Sequence, residues 1–131
     1  KEEQIKVTLE VELEKVLAIP NIDLVTILAN AYENAIYGCM EVKKQSKDRE
    51  CFIYLMIKRK NNKLVIYCSN TCRMETEFKN GQPKPEFTGG IGVSSIIKTA
   101  ENFDGEYDFK NNNGVFVFRL IMNIPASQEN L

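Results

Sequence analysis

The sequence predicts an α+β fold: a two-layer sandwich in which helices cover one face of a mixed sheet of about five strands. Three observations carry this. Two stretches place apolar residues at helical spacing. About five others alternate, or run apolar, over strand length. The strands are joined by hairpin signals as well as by helices, so the chain does not follow strict βα alternation.

In order, Ile5, Val7, Leu9, Val11 and Leu13 alternate with polar residues, and Ile5–Leu13 is expected to be a half-buried strand. Leu17–Asn21, with Pro20, is a connection, and Asp23 is the expected N-cap of the first helix, Asp23–Val42. There Leu24, Ile27, Leu28, Ala31, Ala35, Cys39 and Val42 form an apolar stripe. The lysines of VKKQSKDRE suit the last turn, beyond which the chain reads as a loop. Cys51–Arg59 and Lys63–Ser69 are strands, with a hairpin turn signalled by Asn61 and Asn62. Asn70–Thr88 follows neither period and contains Gly81, Pro83 and Pro85. A loop of that length reads either as a lid over a site or as a mobile surface loop. Gly89, Gly90 and Gly92 lead into a second helix with Val93, Ile96, Ile97, Ala100 and Phe103 on its apolar face and Gly105 at its end. Glu106–Phe109 begins a strand, Asn111–Gly114 is a turn, Val115–Met122 is a buried strand, and the tail beyond Pro125 is polar.

The length of 131 residues suits one domain, and 44% hydrophobic with 27% charged residues is ordinary for a globular protein. The net charge of −1 offers no basic excess for nucleic acid, and no apolar run approaches a membrane span. No signal peptide opens the chain, which starts on KEEQIK without Met and reads as a piece of a longer protein. The four cysteines lack zinc-type spacing; Cys39 and Cys68 read as small hydrophobes on a helix face and in a strand, and the compartment as reducing and cytosolic. Histidine is absent. That removes Ser–His and Cys–His nucleophiles, a His base and His metal ligands, and it means the chain cannot itself carry a phosphohistidine.

Two features point to chemistry. Asn30 and Asn34 lie one turn apart at the edge of the first helix's apolar stripe, with Tyr37 continuing the row and Glu33 further round. Asn is a mediocre helix former, so two in register suggest a task. An amide oxygen is a hard, neutral ligand suited to Mg²⁺, although a polar edge bonded to a neighbouring loop would look the same. The second feature is GGIG ahead of a helix. Glycine lets the backbone approach a ligand, and the helix N-terminus, with Ser94 and Ser95 in its first turn, offers donors to an anion; turns also use glycine. Neither the P-loop nor the dinucleotide pattern is present.

Taken together, these features resemble the ATP-binding fold shared by gyrase, the large heat-shock chaperones, histidine kinases and MutL, the Bergerat type. NAYENA, Asn30–Ala35, looks like the asparagine box, and TGGIGVSSIIKTAENFDGEY, Thr88–Tyr107, like the histidine-kinase glycine box with its helix and strand. The resemblance covers nearly the whole chain and is strongest to catalytic domains of Agr-type, peptide-quorum-sensing sensor kinases. It implies a role for each matching residue. Asn34 would coordinate Mg²⁺, Asn30 would lie near the phosphates, and Glu33 matches the general base of the hydrolytic relatives. Thr88, Gly90, Ile91 and Gly92 would line the phosphate end. Asn70 stands where most members place the aspartate that pairs with the adenine amino group, and its side-chain carbonyl can still accept from that amine.

There are departures. Cys72 replaces the glycine after the aspartate position, Thr88 replaces the first glycine of the run, and Tyr37 stands where many kinases have a phosphate-facing lysine. The resemblance further implies ATP and Mg²⁺ as cofactors and transfer of the γ-phosphate to a histidine on a separate dimerisation domain. A response regulator would lie downstream, and the parent protein would be dimeric, membrane-anchored and carry this domain in the cytoplasm. A lid over Thr71–Thr88 would close on the nucleotide, with Lys79 or Lys84 within reach of a phosphate. Two alternatives stand beside this reading: an ATPase or serine-directed kinase of the same fold, and a degenerate interaction module that no longer binds nucleotide.

Overall fold

The alternating stretches pair into a five-stranded mixed sheet in the computed structural model, which describes residues 5–13, 21–75, 77–79, 82–83 and 92–124. The elements are β1 (Ile5–Glu12), α1 (Asn21–Gln45), β2 (Cys51–Lys60), β3 (Lys63–Thr71), β4 (Phe78–Lys79), β5 (Gln82–Pro83), α2 (Gly92–Glu101), β6 (Glu106–Asn112) and β7 (Val115–Asn123). The sheet order is β1-β2-β3-β7-β6. β1 runs parallel to β2, and every other neighbouring pair is antiparallel. The α+β class and the helix-on-sheet layering agree with the sequence.

One apolar stripe per helix and one face of the sheet close the core. Ile27, Ala31, Ala35, Cys39 and Val42 of α1 are buried with Val93, Ile96, Ile97 and Ala100 of α2. They meet Ile53 and Ile57 of β2, Leu64, Ile66 and Cys68 of β3, and Phe116, Phe118, Leu120 and Met122 of β7. Alternation makes this possible, since every second residue of a strand faces the helices. α1 packs against α2, β3 and β2. Among the described residues, no helix is long and apolar enough to cross a membrane.

Two turns match their chemistry. Asn61 takes φ 60 in the β2–β3 connection, while Asn113 and Gly114 take φ 51 and φ 90 between β6 and β7. Two consecutive left-handed residues are what a two-residue type I′ hairpin requires, and Asn-Gly is the pair that adopts them most easily. α2 ends with Asp104 at φ 52, followed by a 2.9 Å bond from the Gly105 N–H to the Ala100 carbonyl. This is a Schellman closure with aspartate in the left-handed position. Gly105 is required for a different reason: a Cβ there would lie 2.9 Å from the Ala100 oxygen and 3.1 Å from Met122 Cγ.

Several boundaries differ from expectation. α1 begins at Asn21, so Asp23 lies inside its first turn, where its charge meets the positive end of the dipole, and is not the cap. β3 runs on to Thr71 and β6 to Asn112, because the ladder with β7 continues through Asn70↔Phe116 and Asn112↔Val115. α2 stops at Glu101, which leaves Phe103 half-buried in the turn. β1 is not half-buried: Val7, Leu9 and Val11 are 41%, 62% and 63% exposed. The helices lie over the inner strands, so the apolar side of this outer strand is uncovered by the described residues. The stretch read as structureless contains the β4–β5 hairpin. Gly89, Gly90 and the tail beyond Pro125 lie outside the described residues.

Candidate functional site

Where α1 crosses β3, the layers leave a small cavity lined by Ala31 and Asn34 of α1, Cys68 and Asn70 of β3, Ile96 of α2, Phe109 of β6, and Phe116 and Phe118 of β7. Its open space is about 10 Å³, room for roughly one water molecule. The two asparagines are its conspicuous polar side chains. They come from different elements and meet only in the folded chain.

Asn34 lies at the edge of α1's apolar stripe, so folding carries its amide toward the core. Its Oδ1 is buried and, among the described residues, has no hydrogen-bond partner. An orphaned buried acceptor costs about 1–3 kcal/mol, which asks for an explanation beyond packing.

Asn70 continues the series Leu64, Ile66 and Cys68 on the helix-facing side of β3 and is only 2% exposed. Its Nδ2 donates to the Thr71 carbonyl at 2.8 Å. The reversed amide would set its oxygen against the Thr71 carbonyl oxygen at a buried position, so the orientation is fixed. One N–H of Nδ2 is used on the backbone, and Oδ1 is the atom that can accept from a ligand.

Asn30 is half-buried, and its Nδ2 donates to the Thr26 carbonyl at 2.8 Å. Its Oδ1 would lie 3.2 Å from a Cβ added at Gly92, the first residue of α2, so the absent side chain lets α1 meet the start of α2. The N-terminus of α2, the positive end of its dipole, therefore lies beside the asparagine row. Tyr37 is half-buried, while Glu33 is exposed and does not line the cavity. Ser94 is exposed and Ser95 half-buried in the first turn of α2. Thr88, Gly90, Ile91 and Lys84 lie outside the described residues, as does the side chain of Lys79.

The segment after β3 is fastened down before any lid could begin. The Cys72 N–H donates to the Gly114 carbonyl at 2.8 Å. Asn111 Nδ2 donates to the carbonyls of Arg73 and Met74, each at 3.1 Å, while its Oδ1 accepts from the Gly114 N–H at 2.9 Å. Arg73 pairs with Glu75 at 2.7 Å and with Glu41 of α1 at 3.5 Å. Residues 71–75 of the expected lid thus belong to the frame. Further on, Phe78 of β4 stacks on Phe116 at 6.1 Å between ring centroids. Phe116 packs against Phe109, and Phe109 stacks on Phe118 at 5.1 Å, so the hairpin rests on an aromatic wall of the cavity.

The sequence reading did not single out Gly38 or the aromatic wall. A Cβ on Gly38 would lie 2.7 Å from Asn70 Nδ2 and 3.2 Å from the Thr71 oxygen. A signal was available: glycine in mid-helix costs about 1 kcal/mol relative to alanine, so it asks for a reason. Phe109, Phe116 and Phe118 gave no such signal, since phenylalanines in strands are ordinary core residues. All four cysteines are buried and free, and burial pushes the Cys68 thiol up to about 12. Cys39 also rises to about 12, through burial and then the neighbouring Cys51.

A family model described as the GHKL domain matches residues 19–123. Among solved structures, the catalytic domain of histidine kinase ThkA, in a nucleotide-free form, superposes with a TM-score of 0.64 at 19% identity, over 93% of this chain and 80% of that one. The Acinetobacter baumannii histidine kinase AdeS gives 0.62 at 10% identity, over 92% of this chain and 56% of that one. Full-length ShkA in complex with AMPPNP gives 0.61 at 12%, over 95% of this chain and 27% of that one. At these identities the structural likeness is one of fold. No curated protein matches the chain significantly.

Proposed function

The chain belongs to the GHKL domain family, and from that premise we propose that it is a single catalytic domain of a histidine kinase, which binds MgATP and presents the γ-phosphate to a histidine on a separate dimerisation domain. The observation that carries the reading is the buried Oδ1 of Asn34, without a hydrogen-bond partner among the described residues, in the cavity it shares with Asn70. A neutral, hard oxygen without a protein partner fits one coordination position of Mg²⁺, which usually keeps several waters and phosphate oxygens. Among the described residues, no group of three carboxylate, thiol or imidazole side chains is placed to hold a cation by itself, which agrees with a metal that arrives with the nucleotide. When bound, Mg²⁺ would neutralise charge on the phosphates.

The chain's own residues would bind and position. Asn70 Oδ1 would accept from the exocyclic amine of adenine. Gly90, Ile91, Gly92, Thr88 and the N-terminus of α2 would hold the phosphates, with Asn30 and Tyr37 beside them. Glu33, exposed and away from the cavity, would act only if substrate reached the helix flank. The acceptor histidine supplies the nucleophile, so catalysis rests on positioning and charge. ShkA, similar in fold, is described with AMPPNP bound. The remaining partners of this proposal are a response regulator and a dimeric, membrane-anchored parent of the Agr-type class.

Calorimetry with and without Mg²⁺ tests the role of Asn34. Asn34→Ala should weaken MgATP binding by about tenfold or more while changing metal-free ATP binding little. Equal losses in both would make Asn34 a packing residue. A second reading, an interaction module that takes no nucleotide, is favoured by the size of the cavity, which has room for about one water molecule. It predicts no binding heat from wild type under either condition.

A further inference from the structure

We propose that Gly38 is a specificity-determining residue of the base pocket: its missing side chain makes the space in which the Asn70 amide is held with Nδ2 toward Thr71 and Oδ1 turned to a base. The inference rests on the adenine-pocket reading above.

Gly38 lies in mid-α1, on the turn after Asn34, and is itself buried. Glycine is the poorest helix former after proline, so its use there asks for a tertiary cause. The structure supplies one. A Cβ at this position would meet Asn70 Nδ2 at 2.7 Å, the Thr71 carbonyl oxygen at 3.2 Å and Cys72 Cβ at 3.6 Å. The first distance is shorter than any carbon–nitrogen packing contact allows. The short, buried Asn70 side chain, 2% exposed, can make way only by giving up its 2.8 Å bond to Thr71. Even alanine would therefore drive the amide off the Thr71 carbonyl.

The consequence concerns selectivity. An amide can present a donor or an acceptor, and a free one accommodates either an exocyclic amine or a carbonyl. With one Nδ2 N–H bonded to Thr71 and the nitrogen lying against Gly38, the amide is held from turning over, and Oδ1 is the atom on its other side. It pairs with an amino group, as on adenine, and opposes a carbonyl oxygen, as at the same ring position of guanine. Gly38 thus holds a neutral amide in the one orientation that discriminates between the two bases.

Competition titration of wild type and Gly38→Ala with MgATP and MgGTP tests this, together with the ¹⁵N–¹H side-chain amide resonances of Asn70 in the nucleotide-free protein. The expected result is an ATP-to-GTP affinity ratio that falls by about tenfold or more in folded Gly38→Ala, with the Asn70 resonances shifted. An unchanged ratio in the folded variant would reduce Gly38 to a packing glycine and overturn the inference. If Gly38→Ala does not fold, adding Asn70→Ala removes the atom that is struck and should restore folding; failure to restore it would also overturn the inference. If wild type binds neither nucleotide, the pocket reading fails and the specificity claim falls with it. The Asn70 resonances mark that case, because they would still shift in Gly38→Ala.

Discussion

Cys68 shares the helix-facing side of β3 with Asn70 and lines the same cavity, and its burial has a consequence that alkaline titration can read. Desolvation raises its thiol from the ordinary 9.0 to about 12. In the unfolded chain the thiol ionises near its ordinary value, whereas in the folded chain it stays protonated. The linked stability is therefore complete below about pH 9 and is lost as the pH rises toward 12. Cys68→Val keeps a small apolar side chain and removes the ionisation, so its urea-unfolding free energy should decline less between pH 8 and about 11 than that of wild type. Cys39 rises for the same first reason and will leave part of the decline in place. Identical slopes for the two proteins would mean that the Cys68 thiol is not buried in solution.

At the scale of elements, the β6–β7 hairpin is the clasp for the root of the candidate lid. Its turn needs two left-handed residues, and the Gly114 carbonyl also receives the Cys72 N–H. Gly114→Ala places a Cβ 3.2 Å from Met74 Sδ on a backbone at φ 90. The left-handed conformation alone costs a non-glycine residue about 1–2 kcal/mol. The variant should lose about that much stability to urea and exchange its Cys72 amide hydrogen faster than wild type. A loss of only a few tenths, with exchange unaltered, would show that the hairpin does not hold the lid root. The β4–β5 hairpin is held differently, by the Phe78–Phe116 stack on the cavity wall, so its attachment is apolar where that of residues 72–75 is polar.

For the whole molecule, the absence of histidine constrains the chemistry more than any feature present. A domain of the proposed kind can position a phosphate and has no imidazole to receive it. The isolated chain, incubated with γ-labelled ATP and separated under alkaline conditions, should acquire no acid-labile phosphate. Adding its cognate histidine-bearing dimerisation domain should produce label on that partner alone. Acid-labile label on the isolated chain would remove the histidine-directed reading.

What the sequence by itself determined is local. Periods of two and 3.6 placed both helices and the five strands of the main sheet, the Asn-Gly pair placed the last hairpin, and the asparagine and glycine boxes marked where to look. These depend on neighbours along the chain, which is why they are legible there. The boundaries at Asn21, Thr71 and Asn112 were less so, since a strand lasts as long as its partner continues the ladder. Only the tertiary structure decided what depends on distant residues. The helices leave Val7, Leu9 and Val11 of β1 uncovered. Asn34 and Asn70 meet across the two layers because the register of β3 turns an amide toward α1. Gly38 acquires its meaning from the atoms opposite it. Helical periodicity reports which face of α1 is apolar; it carries no information on which strand residue that face will touch, because contact is fixed by packing between layers and by pairing across the sheet.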